Sequence, residues 1–154
     1  MPTPTEITYS ILIQKPVEEV FKFATTPANW VQWHPATIWV EGDIDHSGMP
    51  GDKILEGVKI GLFRGEILWT VKENQALKQW VFEGDTRLPL NKGTKPTITY
   101  RFFPQDGGTL FERHLIYTPP TPFSRFLNRI LIKRSNRSQS RRAVANLKRV
   151  MEKQ

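Results

Sequence analysis

The sequence predicts an α+β fold in which one antiparallel sheet of seven strands curves around a long C-terminal helix. No glycine or proline occurs after Phe123, so residues 123–154 could form one helix of roughly 45 Å at 1.5 Å per residue. Most of the preceding chain alternates apolar and polar residues, which is typical of strands with one buried face. We expect one domain over residues 1–154, because this length is enough for a single core.

The N-terminal elements are one strand and two short helices. Residues 7–13 alternate apolar and polar side chains and predict the first strand. Pro16 and Pro27 each predict the start of a helix, since proline is favoured in the first turn. The second helix should end near Trp33, because a proline follows His34 and disfavours helical backbone there.

The middle of the chain predicts six more strands, which should pair as antiparallel hairpins because they follow one another closely. We place them near residues 37–44, 53–60, 63–73, 78–84, 96–104 and 109–118. The last of these strands has two open registers. One buries Arg113 with the neighbouring apolar residues, and the other buries Glu112 and His114. The apolar pattern favours the first register.

The C-terminal segment begins with Thr121-Pro122, a residue pair typical of a helix N-cap and first helical position. Five apolar residues then recur at steps of three and four and predict one stripe on the helix, namely Phe123, Phe126, Leu127, Ile130 and Leu131. The net charge of the segment from Phe123 is +9, whereas the rest of the chain carries −2. We expect no nucleic-acid binding, since the strand aromatics face inward, away from these basic residues.

Composition excludes several classes of site. Cysteine is absent, which excludes disulfides, thiolate zinc ligands and thiol nucleophiles. Asp43, Asp45, His46 and Asp52 match no known metal-binding spacing, and we interpret them as turn residues. No nucleotide-binding fingerprint occurs, so we expect neither a metal nor a cofactor. The first residues lack the pattern of a signal peptide and no long apolar run occurs, from which we expect a cytoplasmic protein.

The order of elements and several local motifs resemble the polyketide cyclase/dehydrase and lipid-transport family, within the START-like, pollen-allergen-like (SRPBCC) superfamily. The resemblance covers nearly the whole chain and rests on segments 16–21, 27–35, 51–52, 65–71 and 145–152. It implies a helix-grip fold, with the sheet wrapped around the C-terminal helix and two short helices closing one end. It also implies a cavity between sheet and helix that is mainly apolar. It supplies no common set of catalytic residues.

The candidate walls of that cavity are the aromatic residues on the predicted inward faces, with Trp33 from the second helix. An inward aromatic residue can also be simple core packing, and this alternative stays open for each of them. The candidates are Trp33, Phe63, Trp69, Trp80, Phe82, Tyr100, Phe102 and Phe111.

Four residues are candidates for chemistry: Glu112, Arg113, His114 and Tyr100. If Glu112 and His114 point inward they form a general acid–base pair, and if they point outward they are surface polar residues. Three arginines, Arg134, Arg137 and Arg141, interrupt the apolar stripe. They either form a solvated basic face, hold an anionic headgroup at the cavity mouth, or contact anionic lipid.

Three functions follow from these observations. The leading hypothesis is a protein that binds a hydrophobic or amphipathic molecule, such as a lipid, isoprenoid, quinone or polyketide-like compound. The second is an enzyme of the cyclase or dehydratase type, in which one ionisable cavity residue moves protons. The third is a module that binds an anionic membrane surface or a partner through the basic helix.

Overall fold

The computed structural model describes residues 3–88 and 92–154, and its central feature is one seven-stranded antiparallel sheet in the order β1-β7-β6-β5-β4-β3-β2. The strands are β1 (Thr5–Ile13), β2 (Thr37–Gly42), β3 (Lys53–Ile60), β4 (Phe63–Gln75), β5 (Gln79–Thr86), β6 (Thr97–Gln105) and β7 (Gly108–Tyr117). The sequence prediction of seven antiparallel strands is confirmed. β2 is shorter than expected, and β4 extends further.

Three helical elements accompany the sheet, as predicted. Helix α1 (Val17–Ala24) and a 3-10 helix (Pro27–Gln32) lie between β1 and β2. The C-terminal helix consists of α2 (Pro122–Leu127), a π-helical turn (Asn128–Ile132) and α3 (Lys133–Glu152). Thr121 caps it, because its hydroxyl accepts a hydrogen bond from the Ser124 amide at 3.0 Å. No helix in the described ranges is long and apolar enough to cross a membrane.

β7 adopts the register that the sequence favoured. Phe111, Arg113, Leu115 and Tyr117 are all buried on the concave face of the sheet. His114 points to the other face, where its Nε2 lies 3.0 Å from a carboxylate oxygen of Glu6. An arginine therefore lies inside the molecule, between the sheet and the C-terminal helix.

The apolar stripe that the sequence predicts on the C-terminal helix lies largely in solvent. Phe123, Phe126, Ile130 and Leu131 are each about half exposed or more, and only Leu127 packs against the core. The buried face of this half of the helix is formed instead by Ser124, Asn128 and Ile132. Asn128 is fixed there because its amide bonds both the Tyr117 hydroxyl, at 2.5 Å, and the Thr5 hydroxyl, at 3.0 Å.

The second half of the C-terminal helix is anchored against β1 and the 3-10 helix. Val144, Leu147 and Met151 are buried in the core. The side chains of Asn146 and Lys148 donate hydrogen bonds to backbone carbonyls at the end of the 3-10 helix and in β1, at 3.0 and 2.8 Å. This end of the helix is therefore held by both apolar burial and polar contacts.

The strand register defines two ends of the sheet. At one, which we call the open end, Thr5 pairs with Tyr117, and the β3–β4 hairpin joins Ile60 to Phe63. Thr86, where β5 ends, and Thr97, where β6 begins, also lie at this end. The opposite end, which we call the closed end, receives the last turns of α3 and the helix α1.

Candidate functional site

A cavity of about 450 Å³ lies between the concave face of the sheet and the first half of the C-terminal helix, towards the open end. Its size is within the usual range of ligand pockets. The walls are mainly apolar and come from β3 to β7, from the segment after the 3-10 helix, and from the C-terminal helix. They include Val58, Ile60, Ile67, Leu115, Leu131 and Ile132.

Three of the eight candidate wall aromatics line this cavity: Phe63, Trp69 and Phe82. Trp30, which was not among the candidates, lines it as well. The other five lie outside the lining and are packed on one another towards the closed end. They are Trp33, Trp80, Tyr100, Phe102 and Phe111.

Packing explains why these five residues do not reach the cavity. The ring centroids of Tyr100 and Phe111 are 5.1 Å apart, and those of Phe102 and Phe111 are 5.4 Å apart. Trp33 and Trp80 lie 5.7 and 5.5 Å from Tyr100. These separations are typical of favourable aromatic pairs, so the rings pack on one another at the closed end.

A buried polar cluster forms one wall of the cavity, and Glu56 is at its centre. Trp69 Nε1 donates to Glu56 Oε1 at 2.8 Å, and the Thr37 hydroxyl donates to Glu56 Oε2. His34 Nδ1 lies 3.8 Å from Glu56 Oε2, an ion-pair distance, while His34 Nε2 shares a hydrogen bond of 2.9 Å with the Tyr100 hydroxyl. The cluster therefore links an acid, an imidazole and a phenol at a largely apolar cavity.

Burial and mutual contact set the protonation states of these groups. Burial lowers the pKa of His34 below its ordinary value, although Glu56 opposes this effect. Burial alone would raise the pKa of Glu56, but the contact with His34 and the hydrogen bonds from Thr37 and Trp69 outweigh it and lower that pKa. Burial also raises the pKa of Tyr100. Near neutral pH the site thus holds an ionised carboxylate, a neutral imidazole and a neutral phenol.

Arg113 brings a positive charge into the same cavity. Its Nη1 donates to the Ser140 hydroxyl of α3 at 2.6 Å, whereas its buried Nε has no hydrogen-bond partner among the described residues. Gln139 Oε1 and Trp30 Nε1 are also buried and have no hydrogen-bond partner among the described residues. Buried polar atoms are usually paired, so these three cavity-lining residues can still bond a polar group of a ligand.

The catalytic candidates divide between two faces of the sheet. Arg113 lines the cavity. Tyr100 does not line it, but its hydroxyl bonds the cavity-lining His34. Glu112 and His114 lie on the outer face, where Glu112 contacts Arg101 at 3.3 Å and His114 contacts Glu6. Of the two alternatives for Glu112 and His114, the structure has the outward one, surface polar residues, because alternation along β7 places both on the side opposite Arg113.

Arg134, Arg137 and Arg141 are exposed on α3 and do not line the cavity. The helix instead presents Ser135, Asn136 and Gln139 to the cavity. The exposed position agrees with the solvated basic face, one of the three interpretations of these arginines. Arg113, which lines the cavity, is therefore the arginine that could bind an anionic headgroup inside it.

Sequence reasoning missed Glu56 and His34 as site residues. Alternation within β3 contained the signal for Glu56, because it shares the buried face with Ile54 and Val58. His34 directly follows the 3-10 helix, and its distant partners are Tyr100, whose hydroxyl bonds its Nε2, and Glu56. Among the described residues, no three His, Cys, Asp or Glu side chains are grouped as a metal ion would require.

Comparison with known proteins gives consistent matches. The family model for polyketide cyclase/dehydrase and lipid transport matches residues 4–152. Penitrem biosynthesis cluster 1 protein I from Penicillium ochrochloron is 31% identical over 109 residues, which are 69% of this chain and 71% of that protein.

Two solved structures illustrate the shared architecture. The Zhui aromatase/cyclase from Streptomyces sp. R1128 has a TM-score of 0.73 at 10% identity, covering 96% of this chain and 95% of that one. Ara h 8.0201 has a TM-score of 0.71 at 11% identity, covering 99% and 100%. At these identities the likeness establishes the helix-grip fold alone.

Proposed function

We propose, since this chain belongs to the polyketide cyclase/dehydrase and lipid-transport family, that it binds a hydrophobic or amphipathic small molecule between its sheet and its C-terminal helix. The observation that carries the proposal is the cavity of about 450 Å³, with apolar walls and a buried polar cluster on one side. Lipids, isoprenoids, quinones and polyketide-like aromatics share the chemistry that this arrangement recognises. A cytoplasmic location stays a prediction from the sequence.

Binding would combine desolvation with a few directed polar contacts. The apolar part of the ligand would lie against Ile60, Phe63 and Leu131 near the mouth, where burial contributes about 25 cal/mol per Å² of apolar surface. A carbonyl, hydroxyl or acidic group would lie near Arg113, whose Nε has no hydrogen-bond partner within residues 3–88 and 92–154. The polar cluster thus fixes orientation, and the apolar walls supply most of the affinity.

The relatives support a ligand from specialised metabolism over a bulk membrane lipid. Penitrem biosynthesis cluster 1 protein I is named for a biosynthetic cluster, and it is similar to this chain over most of the length of both proteins. Such ligands commonly combine a large apolar body with a few oxygens. That combination suits a cavity with one polar wall.

The test replaces a cavity-lining residue of the C-terminal helix by a larger one. Ala143 lines the cavity and is buried, whereas Ala145 is exposed two residues further along α3. We expect Ala143→Phe to weaken binding of the fluorescent probe 1-anilinonaphthalene-8-sulfonate by tenfold or more, because the new ring occupies the probe's space. Ala145→Phe is the matched control and should bind like the parent protein.

A second substitution keeps the test decisive if Ala143→Phe does not fold. Ser135→Phe fills the cavity from a less buried position of α3 and should weaken probe binding in the same way. Circular dichroism and thermal unfolding establish that each variant is folded. Undiminished binding to folded Ala143→Phe and Ser135→Phe would contradict the proposal. Native mass spectrometry of gently purified protein, compared with the denatured mass, would then identify any ligand retained from the cell.

The second candidate function is proton-transfer catalysis of the cyclase or dehydratase type, and the His34–Glu56 contact favours it. A buried neutral imidazole beside an ionised carboxylate has the composition of a general base and the group that orients it. Arg113 would stabilise negative charge that develops on a substrate carbonyl. Because Nδ1 faces Glu56, Nε2 is the nitrogen that would accept the substrate proton, and the Tyr100 hydroxyl bonded to it would first have to turn away.

Deuterium exchange separates an enzyme from a simple binder. A β-keto thioester in D₂O would be followed by NMR for exchange at the carbon between its carbonyls, with the buffer rate subtracted. An enzyme should accelerate this exchange, and His34→Gln and Glu56→Gln should each lower the rate by about 10²-fold or more while probe affinity stays within a few-fold. Exchange at the buffer rate in the parent protein would exclude this function for that substrate class.

A further inference from the structure

Large apolar side chains are exposed together around the mouth of the cavity. Leu62 at the tip of the β3–β4 hairpin is 99% exposed, and Phe63 beside it is 41% exposed. Leu131 lies across the mouth on the C-terminal helix, since all three residues line the same cavity. Phe126 and Ile130 are exposed on the same helix, at helical spacing from one another.

We call this surface the mouth patch and define it by Leu62, Phe63, Phe123, Phe126, Ile130 and Leu131. Scattered exposed apolar residues are normal on a folded protein. Here three of the six line one cavity opening and the other three continue from Leu131 along the same helix, and such a group marks an interaction surface. Two separate elements form the patch, the hairpin tip and the helix. The patch is therefore not a consequence of one amphipathic segment that was left uncovered.

Basic residues surround the mouth patch. Arg125, Arg129, Lys133 and Arg134 are on the same part of the C-terminal helix, and Lys59 and Arg64 flank the hairpin tip. No acidic residue occurs anywhere in residues 113–151. A row of apolar side chains with adjacent lysine and arginine is the composition of segments that lie in the interface of an anionic bilayer.

We propose that the mouth patch docks on the surface of an anionic lipid bilayer, with Leu62 and the exposed helix residues inserted at the headgroup boundary. Charge argues for a bilayer over a second copy of this chain. Two copies joined through the patch would bring their basic residues together, and like charges across an interface oppose association. A surface of anionic headgroups instead attracts every one of these basic residues.

Docking in this orientation has a consequence for the cavity. Because the mouth opens within the patch, a docked protein would expose its cavity to the bilayer and not to water. An apolar ligand could then move between membrane and protein without crossing the aqueous phase. The bilayer would therefore be the place where the proposed ligand is loaded or delivered. Docking can be tested without knowing which ligand this is.

The test measures sedimentation with vesicles of phosphatidylcholine alone and of phosphatidylcholine with 30 mol% phosphatidylserine, about a typical anionic content. We expect the full chain to bind the anionic vesicles and to be released by salt. Phe126→Ser with Ile130→Ser should abolish binding, and both positions are exposed, so folding should persist. Phe103→Ser is the control, because Phe103 is exposed on β6 away from the open end.

A second pair of variants tests the charge. Arg125→Gln with Arg129→Gln should weaken binding by about 5-fold for each charge removed. Arg149→Gln with Lys153→Gln removes the same charge from the other end of the helix and should have a much smaller effect. Equal binding of the parent protein to both vesicle types would overturn the proposal, as would binding that neither set of variants lowers. A stable dimer that the Phe126 and Ile130 substitutions dissociate, without vesicle binding, would show that the patch is a self-association surface.

Discussion

The two ends of the sheet use the same concave face in opposite ways. At the closed end, Trp80, Tyr100 and Phe111 are fully buried and in ring contact with their neighbours. At the open end, the same face borders a cavity of about 450 Å³ whose mouth is surrounded by exposed apolar side chains. Stability and ligand binding are thus assigned to different halves of one core.

The C-terminal helix accounts for the difference. Its second half sends Leu147 and Met151 into the core, where both are buried. Its first half presents Ser135 and Asn136 to the sheet, and short polar side chains do not fill the same distance. The cavity therefore results mainly from what the helix omits, since the sheet carries large residues at both ends.

The largest expected difference between the two ends is in the free energy of unfolding that is lost when an aromatic residue is truncated. Trp80→Ala should lower the free energy of unfolding by about 3–5 kcal/mol, because it leaves a cavity among packed rings and removes the bond from its Nε1 to the Gly48 carbonyl. Phe63→Ala should cost less than about 1 kcal/mol, since the side chain is partly exposed at the mouth. Urea denaturation measures both, and equal losses would remove the distinction between the two ends.

An intermediate effect is expected from the titration of His34 in the cavity. Folding lowers its pKa below 6.5, so as pH falls the unfolded chain takes up this proton before the folded chain does. This contribution to stability is present at higher pH and is lost as the pH falls. We expect the free energy of unfolding to decrease between about pH 7.5 and pH 5.5, and His34→Gln to make that decrease shallower.

His46 provides the control for this pH dependence. It is exposed in a turn, and its bond to the Ser47 carbonyl raises its pKa, so its contribution has the opposite sign and is lost as pH rises. His46→Gln should therefore leave the acid-side decrease in place or make it slightly steeper. A profile that flattens in His46→Gln and persists in His34→Gln would show that the cavity histidine does not titrate as inferred.

The smallest effect is expected on the outer face of the sheet. Glu112 contacts Arg101 and His114 contacts Glu6 on the partly exposed outer face, where polar contacts of this kind contribute little to stability. Glu112→Gln and His114→Gln should each change the free energy of unfolding by less than about 0.5 kcal/mol and leave probe binding unchanged. A loss of probe binding in either variant would mean that the two faces of β7 are not independent.

Strand alternation made most of this fold predictable from the sequence. The inward residues of β4, β5 and β6 follow directly from period-two patterns, and the preference for burying Arg113 in β7 rested on its apolar neighbours. Helix ends were predictable where Thr121 and Pro122 provide a cap. These are local rules, and each depends on only a few neighbouring residues.

The site was less predictable because it depends on contacts between distant segments. The environment of Glu56 is formed by Thr37, His34 and Trp69, which come from two other parts of the chain. The apolar stripe of the C-terminal helix indicated helical structure correctly, but periodicity does not say whether the stripe faces protein or solvent. In the first half of this helix the face that is buried is a different one. It is short and partly polar, and Asn128 holds it in place through two side-chain hydrogen bonds.

The π-helical turn at Asn128–Ile132 makes the C-terminal helix sensitive to chain length at this position. A π turn contains an additional residue, so deleting one residue within it would convert the helix to a continuous α-helix. Every side chain beyond it would then either rotate by about 100° around the axis or shift along it. A single-residue deletion could in this way exchange the set of helix side chains that faces the cavity, so that ligand preference can change through chain length with every wall residue of the sheet retained.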